Sequence, residues 1–151
     1  MSLFAQIDDQ LKAAMRAKDT STLNTLRMLK SAIKYEAIQK HGADGQATDD
    51  EIIAVIRREI KKREDSIAAF TQAGRADQAA AESTEIDLLK TFLPAALTEE
   101  ELDAIVTAAI AEVGATSRAQ MGAVMKLASA KAAGRTDGNT LSALVQKKLG
   151  G

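Results

Sequence analysis

The sequence has no cysteine and no tryptophan, and holds only one proline, one histidine, one tyrosine and three phenylalanines in 151 residues. Without cysteine there is no disulfide, no thiolate metal site and no cysteine nucleophile, an absence that suits a reducing compartment. Aromatics at 3% leave the core to Leu, Ile, Val, Met and Ala. Strand-forming β-branched and aromatic residues are sparse while Ala, Leu, Lys, Glu and Gln abound, so the composition predicts an all-α protein. No apolar run approaches the roughly 20 residues that span a bilayer. The stretch from Met1 to Asp9 lacks the basic start and apolar centre of a secretory signal, so a cytoplasmic protein is expected.

Apolar residues recur at helical spacing. Leu3, Ile7, Leu11, Ala14 and Met15 line a first helix, and Leu23, Leu26, Leu29, Ile33 and Ala37 a second. His41-Gly42-Ala43-Asp44-Gly45 reads as the turn that stops it. Thr48-Asp49-Asp50-Glu51 is a capping box that opens a third stripe, Ile52, Ile53, Ile56, Ile60, Ile67 and Phe70, predicted to run about 25 residues to Ala73 and Gly74. A fourth stripe, Ala79, Ile86, Leu89, Phe92 and Leu93, meets Pro94, which biases its predecessor away from helix. The expected organisation is an N-terminal domain of about four helices including one long one over residues 1–93, a hinge at 94–97, and a C-terminal three-helix bundle over 98–151. In that bundle Thr98, Ser117 and Asp137 are the predicted helix starts, and Gly114 and Gly134 the stops.

Catalytic chemistry has few footholds. His41 is a lone histidine in a predicted turn, with no second histidine and no carboxylate cluster in view, and reads as a solvated turn residue. Neither GxGxxG nor GxxxxGK[ST] occurs. The acidic runs Asp49-Asp50 and Glu99-Glu100-Glu101 sit at helix starts, where the dipole accounts for them. No catalytic residue, cofactor or metal is assigned, and no enzyme activity is expected of the chain alone.

Charge is balanced overall, 20 basic residues against 21 acidic, but it is segregated near the C-terminus. Residues 98–113 carry Glu99, Glu100, Glu101, Asp103 and Glu112 with no Lys or Arg. Residues 114–151 carry Arg118, Lys126, Lys131, Arg135, Lys147 and Lys148 against Asp137 alone. Two readings stand open: a face for a phosphate backbone, or a solvated polar surface with dipole-matched ends. A secondary basic patch comprises Arg27, Lys30, Lys61, Lys62 and Arg63. Within it Lys61 is expected to pair with Glu64 and Lys62 with Asp65, three residues on. Arg27, beside the apolar stripe, is the candidate for a partly buried pair with Glu82 or Glu85.

Leu26-Arg27-Met28-Leu29-Lys30-Ser31-Ala32-Ile33, Ile60-Lys61-Lys62-Arg63-Glu64-Asp65-Ser66-Ile67, Ala73-Gly74-Arg75-Ala76-Asp77, Glu85-Ile86, Phe92-Leu93-Pro94, Met121-Gly122-Ala123-Val124-Met125 and Gly134-Arg135-Thr136-Asp137-Gly138 follow one another along the chain. As an ordered set they resemble the GatB/YqeY family of small helical proteins. The resemblance implies a C-terminal part similar to the tail domain of the B subunit of glutamine-dependent aminoacyl-tRNA amidotransferase, a tail understood to contact tRNA. It implies a tRNA-binding or amidotransferase-associated module of translation, with tRNA or a translation-linked enzyme as partner. The Gly122 helix and the Gly134–Gly138 turn would form its nucleic-acid face, with Arg135 on a phosphate. Where family members commonly carry Lys after the Met-Gly pair, this sequence has Ala123, and Lys126 follows one turn later. No amidase Ser-Ser-Lys centre is present. A protein-interaction adaptor, or carbon–nitrogen ligase activity with glutamine as amido donor within a larger complex, are the alternatives; an exposed apolar patch on the N-terminal helices would favour the adaptor.

Overall fold

The computed structural model describes residues 2–150. Among them every regular element is helical: α1 Leu3–Ala17, α2 Thr20–His41, α3 Asp49–Gln72, α4 Ala76–Lys90, α5 Glu99–Val113, a short 3-10 turn Arg118–Gln120, α6 Met121–Ala132 and α7 Gly138–Lys148. The all-α expectation holds. The chain divides into two compact units, one ending at Leu93 and the other beginning at Pro94. No helix among the described residues is long and apolar enough to cross a membrane.

In the first unit the helix boundaries follow local chemistry. The Ser2 hydroxyl accepts from the Ala5 N–H, and the Asp19 carboxylate from the Thr22 N–H, so α1 and α2 are each capped by the residue before them. At α3 both halves of the capping box form: the Glu51 N–H donates to the Thr48 hydroxyl and the Thr48 N–H to Glu51 Oε1. α3, about 36 Å long at 24 residues, turns at Gly74 (φ 72°) into α4, against which it packs most extensively. Phe92 and Leu93, placed by periodicity on the fourth helix, lie in the turn beyond its end at Lys90. Phe92 is nonetheless buried, because the last turn folds back on the core. Ile7, Leu26, Leu29, Ile52, Ile56 and Leu89 are sealed from water at its centre.

One charged side chain enters this apolar seam. Arg63 lies on the same stripe as Ile56, Ile60 and Ile67 and is only 6% exposed. Its Nη1 meets Glu59 Oε2 at 3.0 Å, and its Nε meets Glu85 Oε2 of α4 at 3.0 Å. The Thr25 hydroxyl of α2 lies 3.2 Å from the other Glu85 oxygen. Three helices thus converge on one carboxylate. Burial and the neighbouring Glu85 push the Glu82 carboxyl above its ordinary range. The buried pair expected of Arg27 is therefore made by Arg63, while Arg27 points to solvent. The expected partners of the α3 lysines also change: Lys61 pairs with Asp65, one turn ahead, and Lys62 with Glu59, behind it. Arg58 leaves its own helix for Glu36 of α2, at 2.8 Å.

A second group of charges ties the end of α2 to the start of α3. Glu36 accepts from Arg58 and Lys40, and Glu51 from His41 Nε2 at 2.8 Å. His41 is the last residue of α2 and partnered, which corrects its reading as a solvated turn residue. The Thr48 N–H, joined by His41, holds the Glu51 carboxyl down at about 2.

The second unit has no aromatic side chain and packs on small ones. Val106, Ala109, Val124, Ala128, Leu141 and Val145 form its centre, the alanines allowing close approach of α5, α6 and α7. Thr98 caps α5, and Asp137 caps α7 by accepting from the Thr140 N–H at 2.6 Å. Ser117, expected to cap α6, makes no such bond. Instead the Gln120 side chain reaches back to the Thr116 N–H at 2.6 Å across the 3-10 turn, and α6 begins later. α6 ends at Ala132, two residues before Gly134, with Ala133 in the left-handed region at φ 50°.

Arg63→Ala leaves Glu85 without its cation in the seam and Glu59 with Lys62 alone. It is expected to lower unfolding free energy by about 3 kcal/mol or more in urea titration, whereas Lys61→Ala, at an exposed pair, changes it by about 0.5 kcal/mol or less; equal effects would contradict the packing described. The sign for Glu51 is also set. Its folded pKa lies below the ordinary 4.5, so the stability it confers is complete at neutral pH and is lost as pH falls from about 4.5 through about 2. Urea midpoints measured across that window should fall less steeply for Glu51→Gln than for the wild type, and parallel curves would contradict the assignment.

Candidate nucleic-acid interface

The cations assigned from sequence to the second unit divide into two groups. Lys131 Nζ lies 3.0 Å from Glu112 Oε1, Lys148 Nζ 2.6 Å from Asp103 Oδ1, and Arg135 Nη2 3.1 Å from Glu101 Oε2. Every one of these acids belongs to α5. The negative helix thus folds onto its positive neighbours, and half of the apparent basic surface is neutralised within the fold. Arg135 is further engaged: its Nε donates to the Ala95 carbonyl at 2.9 Å, and its own carbonyl accepts from the Leu97 N–H at 3.0 Å. It pins residues 95–97 to the turn before α7.

Arg118, Lys126 and Lys147 remain. All three are exposed, and none makes an ion pair among the described residues. Lys126 stands on the outer face of α6. Val124, Ala128 and Ala132 occupy the inner face, leaving Gly122, Ala123, Lys126, Ser129 and Ala130 toward solvent. Apart from Lys126 this face is bare of bulk. Gly122 is a helical glycine at which an added Cβ would touch nothing within 4 Å. A glycine inside a helix costs about 1 kcal/mol relative to alanine, and no internal contact here calls for it. Ala123 and Lys126 are three residues apart on this face, neighbours about 5 Å apart across one turn. A cation therefore stands one turn from the position where the family resemblance leads one to expect lysine.

The secondary basic residues are dispersed. Lys30 turns to Asp8 of α1 at 2.8 Å and lies over the Phe4 ring, 5.3 Å from its centre. Lys30 and Lys12 together hold the Asp8 carboxyl below its ordinary range. Lys61 and Lys62 pair along α3, and Arg63 is buried. Arg27 alone of the five makes no ion pair among the described residues. No three His, Cys, Asp or Glu side chains among those residues are grouped to hold a metal ion.

Comparison with known sequences covers almost the entire chain. The pattern of the family described as Yqey-like protein matches residues 4–149. A Clavispora lusitaniae protein named altered inheritance of mitochondria protein 41, mitochondrial, is 32% identical over 129 residues, 83% of this chain and 73% of that protein. A Pyrenophora tritici-repentis protein of the same name is 31% identical over 151 aligned residues, 96% of this chain and 80% of that protein. A third, from Saccharomyces cerevisiae, is 33% identical over 93 residues, 62% of this chain and 49% of that protein, so the match spans about half its length. These names place those relatives in mitochondria, and the cytoplasmic expectation for this chain draws no support from them.

Proposed function

Because this chain belongs to the Yqey-like protein family, which is related to the tail of the tRNA amidotransferase B subunit, we propose that it is a non-catalytic tRNA-binding module, acting alone or beside a translation-linked enzyme such as that amidotransferase. The RNA contact is assigned to the outer face of α6. One observation carries this reading: the face combines an unpartnered lysine with a glycine that the fold itself does not need. A sugar–phosphate backbone approaches most closely where side chains are small, and a lysine or arginine beside it supplies sequence-independent, salt-sensitive attraction. Arg118, just before α6, and Lys147, on α7, extend the unpaired positive charge. Arg135, Lys131 and Lys148 serve the fold first, through the acids of α5.

This reading predicts a separation that charge alone would not. In binding of the full chain to total tRNA at several salt concentrations, the double variant Arg118→Ala/Lys126→Ala should weaken affinity and make the log–log salt slope shallower by roughly one for each phosphate no longer neutralised, with its thermal midpoint unchanged. Gly122→Ala should stabilise the chain by about 0.5–1 kcal/mol and yet weaken tRNA binding. Binding that is unaltered in both variants contradicts the assignment, and turnover of glutamine or ATP by the purified chain contradicts its non-catalytic character.

A further inference from the structure

Among the described residues of the first unit the large exposed apolar side chains, Phe4, Met15, Met28, Tyr35 and Ile38, all belong to α1 and α2. Three of them mark one line on α2. Met28, Tyr35 and Ile38, with Ser31 between, follow helical spacing along its outer face, where Met28 is 57% and Tyr35 66% exposed. The opposite face of the same helix is buried through Leu26, Leu29 and Ile33. A helix that is apolar on two sides has one side unpartnered. Beside this line opens a cavity of about 400 Å³ walled by Phe4, Ile33, Ala37 and Ala47, with Lys30 and Lys34 among its lining residues. Its loop wall is closely packed: a Cβ on Gly45 would collide with that of His41.

The exposed charges that α2 itself presents have one sign. Arg27 and Lys34 run along one edge of the apolar line and make no ion pair among the described residues. Lys30 is held by Asp8, and the single acid of α2, Glu36, is turned inward to Arg58 and Lys40. We infer that the outer face of α2 and the adjoining cavity dock an amphipathic helix of a partner protein, one whose apolar stripe is flanked by acidic residues. The line from Met28 to Ile38 extends about 15 Å, close to three turns of such a helix, and the cavity has room for one or two of its apolar side chains. Helix-in-groove recognition anchors apolar residues at the i, i+3, i+4 and i+7 positions that this surface mirrors. RNA fits it less well, since a phosphate backbone gains nothing from covering Met28 and Ile38. The inference is independent of the α6 surface and stands or falls apart from it.

The test is an NMR titration of the isotope-labelled full chain with two synthetic helical peptides of roughly 15 residues. Both carry leucine at i, i+3, i+4 and i+7; one is flanked by glutamate and the other by lysine. The glutamate peptide should shift the resonances of Phe4, Lys34, Tyr35 and Ile38 and bind about tenfold or more tighter than the lysine peptide. Arg27→Glu/Lys34→Glu should reverse that preference, and Tyr35→Ser should weaken both peptides; these exposed positions leave the core intact. Shifts elsewhere, no shifts, or equal affinity for the two peptides would overturn the proposal. So would displacement of the peptide by total tRNA, which would make this an RNA surface, or a dimer abolished by Tyr35→Ser, which would make its occupant a second copy.

Discussion

An ionised side chain withdrawn from water must meet opposite charge, and this requirement decides what each basic residue of the chain is free to do. Arg63 satisfies it inside the first unit, where Glu59 and Glu85 receive the guanidinium between α3 and α4 and Thr25 joins them from α2. Arg58 and Lys40 satisfy it at Glu36. In the second unit α5 supplies the acids, taking up Lys131, Arg135 and Lys148. The cations left over are the ones with charge to offer another molecule. Among the cations without an ion pair in the described residues, Lys126 stands among the small side chains of α6, and Arg27 and Lys34 stand beside the large apolar ones of α2.

The two units meet the same requirement with different cores. The first has isoleucine, leucine and phenylalanine along four helices, and tolerates a buried arginine because three elements surround it. The second has little beyond valine, leucine and alanine, and its ion pairs lie at the rim, where solvent screens them and each is worth about 1 kcal/mol or less. Arg135 counts for more through its geometry than its charge: by gripping the Ala95 carbonyl it ties residues that precede α5 to the turn that precedes α7.

Local chemistry was legible where local chemistry decides. The Thr48 capping box, the Thr98 and Asp137 caps and most of the helical stripes appear where the sequence places them, while Met15, expected on the stripe of α1, is exposed. The burial of Arg63 is written in its position and masked by its charge: it continues the line of Ile56 and Ile60 and precedes Ile67, so it faces the core. Phe92 was misplaced because a buried aromatic after a helix end keeps the helical spacing without the helix. The Ser117 cap did not form: the Gln120 N–H, three residues on, donates to the Ser117 carbonyl in the 3-10 turn. The candidate interface was legible only as a set of cations. Lys126 and Lys131 look alike in sequence, and what separates them is Glu112, brought in from 19 residues away by the packing of α5 against α6.

We propose that RNA meets this chain on the bare outer face of α6 and not wherever positive charge happens to be dense. The most direct measurement is the set of backbone amides whose NMR resonances shift when total tRNA is added to the full chain. The shifts should centre on Arg118 and on Gly122 to Lys126, with the Lys61–Lys62 stretch of α3 unmoved. Shifts centred on α3, or spread evenly over every exposed lysine, would contradict it.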